Sequence, residues 1–187
     1  MTRIWFDIDT QHDFMDKDGA LYVPGAEEIK PNLQKLTGYA NDNDIIIFGS
    51  SDCHYGTNYF KDVEGELKRW GGPFPDHCME GSEGAERIFE TDGSLEQEFI
   101  KQTYDVFTNS TIRSALQYYN VTEAVVYGVA TDYCVMAAVK GMQKLGIQCY
   151  VVEDAIAGIT PETTKQAIYE MKEAGAKFVK TEDIVTE

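Results

Sequence analysis

The sequence contains 187 residues, of which 43% are hydrophobic and 26% are charged, which favours one globular domain over residues 1–187 and excludes a wholly disordered chain. The formal net charge of −16 argues against nucleic acid and anionic membrane surfaces as partners. No stretch reaches the ~18 consecutive apolar residues of a membrane span.

Short apolar runs alternate with amphipathic stretches along the chain. The apolar runs predict strands at 4–8, 44–49, 124–129, 148–152 and 177–179. The amphipathic stretches predict helices at 26–40, 109–119, 132–145 and 161–174. This alternation predicts an α/β fold with three layers, α/β/α, around a mostly parallel central sheet.

The segment 52–84 interrupts this regularity. It is rich in glycine, proline, aspartate and histidine and has no clear hydrophobic period. Loops of such length in a compact domain are usually functional or disordered, and the aromatic residues here argue for order. The sequence leaves open whether this segment moves as a lid.

Ligands of open parallel sheets bind at the carboxyl ends of the strands, so the residues that follow each strand are the candidates for a site. Asp9 follows the first predicted strand, and Asp52 and His54 follow the second. Cys134 follows the strand that ends at Val129 and lies at the start of a helix. An acid, a metal-competent pair and a thiol are therefore expected at one edge of the sheet.

Cys134 is a candidate nucleophile. A thiol in the first turn of a helix lies at the positive end of the helix dipole, which favours the nucleophilic thiolate. The alternative is a buried and inert cysteine, which is the commoner fate of a free thiol. Asp9 is able to take the thiol proton if burial raises its pKa. Lys101 follows an apolar pair and would support a thiolate if it points inward, although most lysines are surface residues.

Asp52 and His54 are two residues apart, so in extended chain both side chains point the same way and Cys53 points away. His77 is a candidate third ligand, and such an oxygen and imidazole set suits zinc, manganese or iron(II). An alternative is a closed structural zinc site made of Cys53, His54, His77 and Cys78. A capping and turn role for the Asp52–His54 pair is a further alternative.

Four motifs in chain order resemble the isochorismatase-like cysteine hydrolases, and within that family the nicotinamidases. The motifs are Asp9-x-Gln11-x-Asp13-Phe14, Asp52-x-His54 with Pro75-x-His77-Cys78, Lys101 followed by Tyr104-Asp105-Val106-Phe107, and Gly128-Val129-Ala130-Thr131-Asp132-Tyr133-Cys134-Val135. Each motif alone is short, but the four in order are specific. The resemblance covers residues 3–160 and implies the Rossmann-like isochorismatase fold.

The resemblance implies a catalytic triad in which Cys134 is the nucleophile, Asp9 the general base and acid, and Lys101 the group that supports the charged state. It also implies a non-proline cis peptide before Ala130. The backbone N–H groups of Ala130 and Cys134 would then form an oxyanion hole.

The resemblance further implies a divalent metal ion, zinc or else manganese or iron, which would anchor the ring of a small amide substrate. Its ligands would be Asp52, His54 and His77. Phe14 and Phe74 would flank that ring as substrate-binding residues.

The chain departs from the nicotinamidase pattern at three positions. Cys53 stands where an aromatic residue is usual between the aspartate and the histidine, and Phe74 stands where tryptophan is frequent. Asp7 replaces an apolar strand residue and adds a second candidate acid, but the spacing to Gln11 favours Asp9 as the base. These changes leave hydrolase chemistry intact and put the substrate in question.

Three functions follow from these observations. The first is hydrolysis of nicotinamide to nicotinate and ammonia through a cysteine thioester, and the second is hydrolysis of another small amide or ureido substrate by the same triad. The third is a thiol redox sensor that pairs Cys134 with Cys53 or Cys78. The resemblance implies a homo-oligomer, a dimer or tetramer, and the acids near the N-terminus predict a cytoplasmic protein without a signal peptide.

Overall fold

The computed structural model of the protein describes residues 2–57, 65–92 and 95–186. Its strands are β1 (Thr2–Ile8), β2 (Ile47–Asp52), β3 (Leu95–Lys101), β4 (Val121–Val129), β5 (Gln148–Ala157) and β6 (Lys177–Val179). They form one six-stranded sheet in the order β3-β2-β1-β4-β5-β6. Every neighbouring pair in that order is parallel.

The helices are α1 (His12–Met15), α2 (Ala26–Asp42), α3 (Ile112–Tyr118), α4 (Met136–Lys144), α5 (Pro161–Glu173) and α6 (Thr181–Ile184). They cover both faces of the sheet. Because strand side chains alternate between faces, β1 contributes Ile4, Phe6 and Ile8 to one core, where α3, α4 and α5 pack. The same strand contributes Trp5 to a second core, where α2 and α6 pack. The predicted three-layer α/β/α fold is confirmed.

Strand β3 was not predicted from the sequence. Only Phe99 and Lys101 of its seven residues are buried, and glutamate and glutamine occupy much of the rest. A strand at the edge of a sheet faces water along much of its length, so it lacks the continuous apolar run of a central parallel strand. The apolar pair Phe99–Ile100 was too short to predict a strand in this region.

Other elements also differ from the prediction. β2 covers Ile47–Asp52 where 44–49 was predicted, so Asp52 ends the strand and does not follow it. β5 continues to Ala157, five residues beyond the predicted end, and contributes buried Ala155 and Ile156. The helix predicted at 132–145 is a π turn at Thr131–Val135 followed by α4. Hydrophobic period does not separate a π turn from the first turn of an α-helix, because both bury one face of a short segment.

The long segment 52–84 is ordered by local contacts in its described part. Isolated bridges join His54 to Met79 and Leu67 to Phe74. Residues 58–64, which the lid question includes, lie outside the described residues. Within the described ranges, no helix has both the length and the apolar character that crossing a membrane requires.

Candidate active site

The candidate residues meet at the carboxyl end of the sheet. β2 and β3 extend the sheet on one side of β1, whereas β4 to β6 extend it on the other side, so the strand order reverses between β1 and β4. In open parallel sheets this reversal opens a crevice that binds ligands. Asp9 follows β1 and Cys134 follows β4, so the two side chains flank that crevice.

Asp9, Lys101 and Cys134 are in mutual contact. The Lys101 Nζ atom lies 2.7 Å from Asp9 Oδ2 and 3.7 Å from Cys134 Sγ. The Cys134 thiol also hydrogen-bonds to the Asp9 carboxylate. Lys101 is 2% exposed, which confirms that it points inward. The structure thus brings together the three residues that the sequence named as a triad.

Burial and neighbouring charges shift the pKa of each of these groups. Burial raises the pKa of the Asp9 carboxyl, although Lys101 acts in the opposite direction. Burial disfavours the Lys101 ammonium, but the carboxylates of Asp52 and Asp9 outweigh it and raise the Lys101 pKa well above its ordinary value. The site therefore holds a permanent cation between two acids.

The protonation of Cys134 differs from the sequence-based expectation. Burial, reinforced by the Asp9 carboxylate, raises the pKa of the thiol well above its ordinary value. Burial therefore outweighs the lowering of the thiol pKa that the helix start was expected to cause. The thiol keeps its proton at rest and hydrogen-bonds to Asp9. An attack by sulfur then requires a base in contact, and Asp9 is in that position.

Asp52, His54 and His77 form a second cluster beside the triad. Each offers one ligand atom, and these atoms lie within 4.8 Å of one another. The His77 Nδ1 atom is 2.8 Å from the Pro75 carbonyl oxygen, so Nδ1–H donates there and Nε2 is left for a ligand. Burial acts to raise the pKa of Asp52, but Lys101 and the two imidazoles outweigh burial and lower that pKa.

This donor set fits a divalent metal ion. A buried carboxylate with two imidazoles is a ligand set of zinc, manganese and iron sites. Among the described residues, the cluster with metal-binding spacing contains neither Cys53 nor Cys78, which does not support the closed structural zinc site. The Cys78 Sγ atom instead lies 3.9 Å from the Gly84 carbonyl oxygen.

Two polar side chains of the first motif hold the metal-binding cluster in place. The Gln11 amide donates to the Asp52 carbonyl oxygen at 2.8 Å and accepts from the Asp52 N–H at 2.7 Å. Asp13 Oδ2 accepts from the Cys78 N–H at 2.6 Å, directly after His77. A Cβ at Gly84 would lie 2.3 Å from the Asp13 carboxylate, so this glycine gives Asp13 its space.

A cavity of about 140 Å³ lies between the triad and the cluster. Its lining residues are Phe14, Leu21, Val23, Asp52, Glu66, Phe74, His77, Tyr104, Val129, Ala130, Tyr133, Cys134 and Ile159. Both aromatic residues predicted to bind substrate, Phe14 and Phe74, are in this set. An engineered cavity of about 150 Å³ binds benzene, so this volume suits one aromatic ring.

Sequence reasoning missed several lining residues, among them Glu66, Tyr104 and Tyr133. The Glu66 carboxyl accepts from the Tyr104 N–H at 3.3 Å, and burial raises its pKa. Tyr104 and Glu66 lie outside helices and strands, where no period points to a face. Tyr133 precedes Cys134, and the signals available for it were its place at the helix start and in the fourth motif.

The turn after β4 matches a further expectation. The peptide bond between Val129 and Ala130 is cis, as the resemblance implied. Ala130 begins the π turn that carries Cys134, and both residues line the cavity. The backbone predicted to stabilise an oxyanion therefore borders the space where a substrate would lie.

Comparison with known proteins supports the resemblance. A family model described as "Isochorismatase domain" matches residues 5–183. A nicotinamidase/pyrazinamidase of Mycobacterium tuberculosis is 28% identical over 183 residues, which cover 92% of this chain and 95% of that protein. A probable inactive nicotinamidase of Arabidopsis thaliana is 28% identical, with 91% of this chain and 88% of that protein covered.

A solved structure is similar over nearly its whole length. It is the pyrazinamidase of Pyrococcus horikoshii in complex with zinc, with a TM-score of 0.86 and 28% sequence identity. The match covers 96% of this chain and 99% of that chain. The sheet and its covering helices are thus those of a known α/β fold.

Proposed function

We propose that this chain, which belongs to the isochorismatase family, hydrolyses nicotinamide to nicotinate and ammonia. The chain is a hydrolase of amide C–N bonds. The observation that carries the choice of substrate is the cavity itself, because Cys134 and two residues of the metal-binding cluster, Asp52 and His77, line the same ring-sized space. A flat heteroaromatic amide offers a carboxamide to the thiol and a ring nitrogen to the cluster.

The reaction begins with a proton transfer. Asp9 accepts the proton of the Cys134 thiol, and the sulfur attacks the carboxamide carbon to form a C–S bond. The carbonyl electron pair moves to oxygen, and the N–H groups of Ala130 and Cys134 stabilise that oxyanion. Lys101 stays charged throughout and holds the Asp9 carboxylate beside the thiol.

The leaving group then departs as ammonia. Asp9 returns the proton to the amide nitrogen, the C–N bond breaks, and the substrate carbon remains on Cys134 as a thioester. Asp9 next takes a proton from water, which attacks the thioester carbon. The C–S bond breaks, the sulfur regains a proton from Asp9, and the carboxylic acid leaves.

Asp52, His54 and His77 would hold a divalent metal ion, zinc or else manganese or iron. Such an ion supplies a Lewis acid that binds the nitrogen of a heteroaromatic ring. Phe14 and Phe74 pack against the faces of that ring and orient it in the cavity. Their contribution comes from apolar area and ring contacts.

Ammonia release from nicotinamide and from benzamide tests this proposal. Benzamide has the same shape without the ring nitrogen, so it leaves the metal-binding cluster without its partner on the substrate. We expect its kcat/KM to be at least about 100-fold lower, because a site built for a polar group rejects an analogue that lacks this group. Absence of ammonia from folded, zinc-loaded protein with nicotinamide would contradict the assignment and favour another small amide or a ureido substrate. Equal kcat/KM for the two amides would contradict the proposal that a metal ion in the cluster binds the ring nitrogen of the substrate.

Substitution of one ligand tests the metal-binding cluster. We expect His77→Ala to weaken zinc binding by more than about 100-fold, because even residues outside the ligand sphere contribute about 10–100-fold. Competition with a chromophoric chelator measures this affinity. His12→Ala is the matched control, since His12 pairs with Asp16 at the surface, outside the cluster. A His77→Ala protein that binds zinc as tightly as the unmodified protein would exclude His77 as a ligand.

A further inference from the structure

Asp7 and Arg87 form a nearly buried ion pair that the proposed mechanism does not use. Asp7 lies near the carboxyl end of β1, between the core residues Phe6 and Ile8, and is 1% exposed. The Arg87 guanidinium pairs with its carboxylate and is 10% exposed. A buried pair of this kind is weak evidence for stability, because desolvation of the two charges offsets their attraction. A contribution to stability therefore does not explain why this ion pair is buried here.

The sheet makes a space for this guanidinium. Asp7 is in register with Gly49 of β2 on one side and with Tyr127 of β4 on the other. A Cβ at Gly49 would lie 3.3 Å from Arg87 Nη1 and 2.6 Å from the Leu95 side chain. Gly49 therefore leaves room for Arg87 to lie across β2.

Arg87 also binds the ends of both strands that carry the site acids. Its Nη2 donates to Thr10 Oγ1 at 2.9 Å, and Thr10 follows Asp9. Its Nη1 lies 3.3 Å from both the Ser50 carbonyl oxygen and the Ser51 hydroxyl, and Ser51 precedes Asp52. One planar group thus links the chain on either side of the site.

Thr10 completes the link. Its hydroxyl donates to Asp7 Oδ1 at 2.9 Å and lies 2.7 Å from the hydroxyl of Thr91. With Arg87 and Thr91 as donors, the Thr10 hydroxyl uses its one proton and both of its lone pairs. A buried hydroxyl with all of its hydrogen bonds made is held rigidly, although the Arg87 Nε atom of the same network has no hydrogen-bond partner among the described residues.

Asp9 is attached to the same strand end. The Asp9 N–H donates to the Ser50 carbonyl oxygen at 3.1 Å, the atom that Arg87 also contacts. The Ser50 hydroxyl donates to Asp9 Oδ1 at 2.7 Å. Asp7 and Arg87 are absent from the described lining of the cavity, whereas Asp52 and Cys134 belong to it, so an effect of the pair on the reaction has to pass through other residues.

We propose that the Asp7–Arg87 pair is a positioning device that fixes Asp9 and Asp52 relative to Lys101 and Cys134 during amide hydrolysis. The proposal rests on the proposed function, because it assigns the pair a role in that reaction. We call the Asp7–Arg87 pair the brace. Asp7 acts through the position of the base, Asp9, and does not itself transfer a proton.

Three variants separate positioning from stability. Arg87→Met leaves Asp7 buried and unpaired, so it lowers both the unfolding midpoint and kcat. Asp7→Leu/Arg87→Met removes both charges, which restores the midpoint. Arg87→Lys keeps a charge beside Asp7, but a single ammonium does not reproduce the contacts of the planar guanidinium with Thr10, Ser50 and Ser51.

In the double variant and in Arg87→Lys we expect kcat to fall about 10–100-fold, since small misplacements of catalytic groups have effects of this size. KM is expected to change less than kcat, because none of the substituted residues lines the described cavity. Arg3→Met is the matched control, since Arg3 pairs with Glu123 at the other end of β1 and its loss leaves kcat unchanged. A kcat equal to that of the unmodified protein in either folded variant would overturn the proposal.

A second readout does not need turnover. The rate of Cys134 alkylation by iodoacetamide, followed by peptide mass spectrometry across pH, reports the contact between the thiol and Asp9. We expect the profile to change in the double variant and in Arg87→Lys but not in Arg3→Met. If the unmodified protein fails to hydrolyse nicotinamide, the proposed function fails, and this profile still decides whether the brace acts on the thiol. An unchanged profile in both folded variants would overturn the brace.

Discussion

Cys134→Ala is expected to lower nicotinamide turnover by about 10⁶-fold, because loss of the nucleophile removes the covalent route, as it does in serine hydrolases. The protein should still fold, since the thiol contributes one contact to Asp9 and one to Lys101. Ammonia release measures the loss. Rapid quenching of the unmodified protein should trap a nicotinoyl thioester on the peptide that contains Cys134.

The matched control is Cys149→Ala. Cys149 is buried in β5 and is absent from the described cavity lining. The Cys149 Sγ atom lies 3.9 Å from the Val139 carbonyl oxygen and 3.8 Å from the Ile147 carbonyl oxygen, and no described contact joins it to the triad residues. Its replacement should therefore change kcat less than about twofold. Turnover that survives in Cys134→Ala, or a thioester found on another cysteine, would remove Cys134 from the mechanism.

Lys101→Met is expected to destabilise the metal-free protein by about 3–5 kcal/mol, the cost of leaving a buried charge without its partner. The Lys101 ammonium contacts both Asp9 and Asp52, so its loss places two buried carboxylates beside each other. We also expect turnover to be lost, because the protonation of Asp9 is then no longer set by a fixed cation. Urea unfolding of chelator-treated protein measures the change in stability.

Lys140→Met is the control for this measurement. Lys140 pairs with Glu170 at 2.9 Å, but both side chains are more than one third exposed. An exposed pair contributes about 0–1 kcal/mol, so the control should remain within that range. Equal unfolding free energies for the two variants would show that Lys101 is not the counter-ion that the geometry indicates.

The strand ends were predictable because apolar runs stop abruptly there. The runs that end at Ile8, Phe48 and Val129 place Asp9, Asp52 and Cys134 after buried strands, and the structure brings these side chains to one edge of the sheet. Their catalytic roles stay predictions. The i, i+2 spacing also anticipated that Asp52 and His54 approach each other, although β2 ends at Asp52 and His54 is held by a bridge to Met79.

Other features of the site were not predictable from the sequence. The partner of Asp7 is Arg87, 80 positions away in an irregular segment, and no period or spacing connects them. Glu66 reaches the cavity from a loop, where the backbone path is decided by contacts with distant residues. The helix start indicated a lowered pKa for the Cys134 thiol, but burial raises that pKa, and the depth of burial is a property of the folded molecule that the sequence does not show.

Lys101 lies at the end of β3, which is one of the two edge strands of the described sheet. β3 pairs only with β2, in a register that sets Lys101 opposite Asp52. A slip of one residue would turn every side chain of β3 to the other face and bring Ile100 inward. The fold should survive such a slip, since only two of the seven β3 residues are buried, whereas the residues of the inner strands β2 and β4 are mostly buried. Activity therefore depends on the register of one edge strand, β3, against β2. A protein with native secondary structure but a shifted β3 register would be inactive.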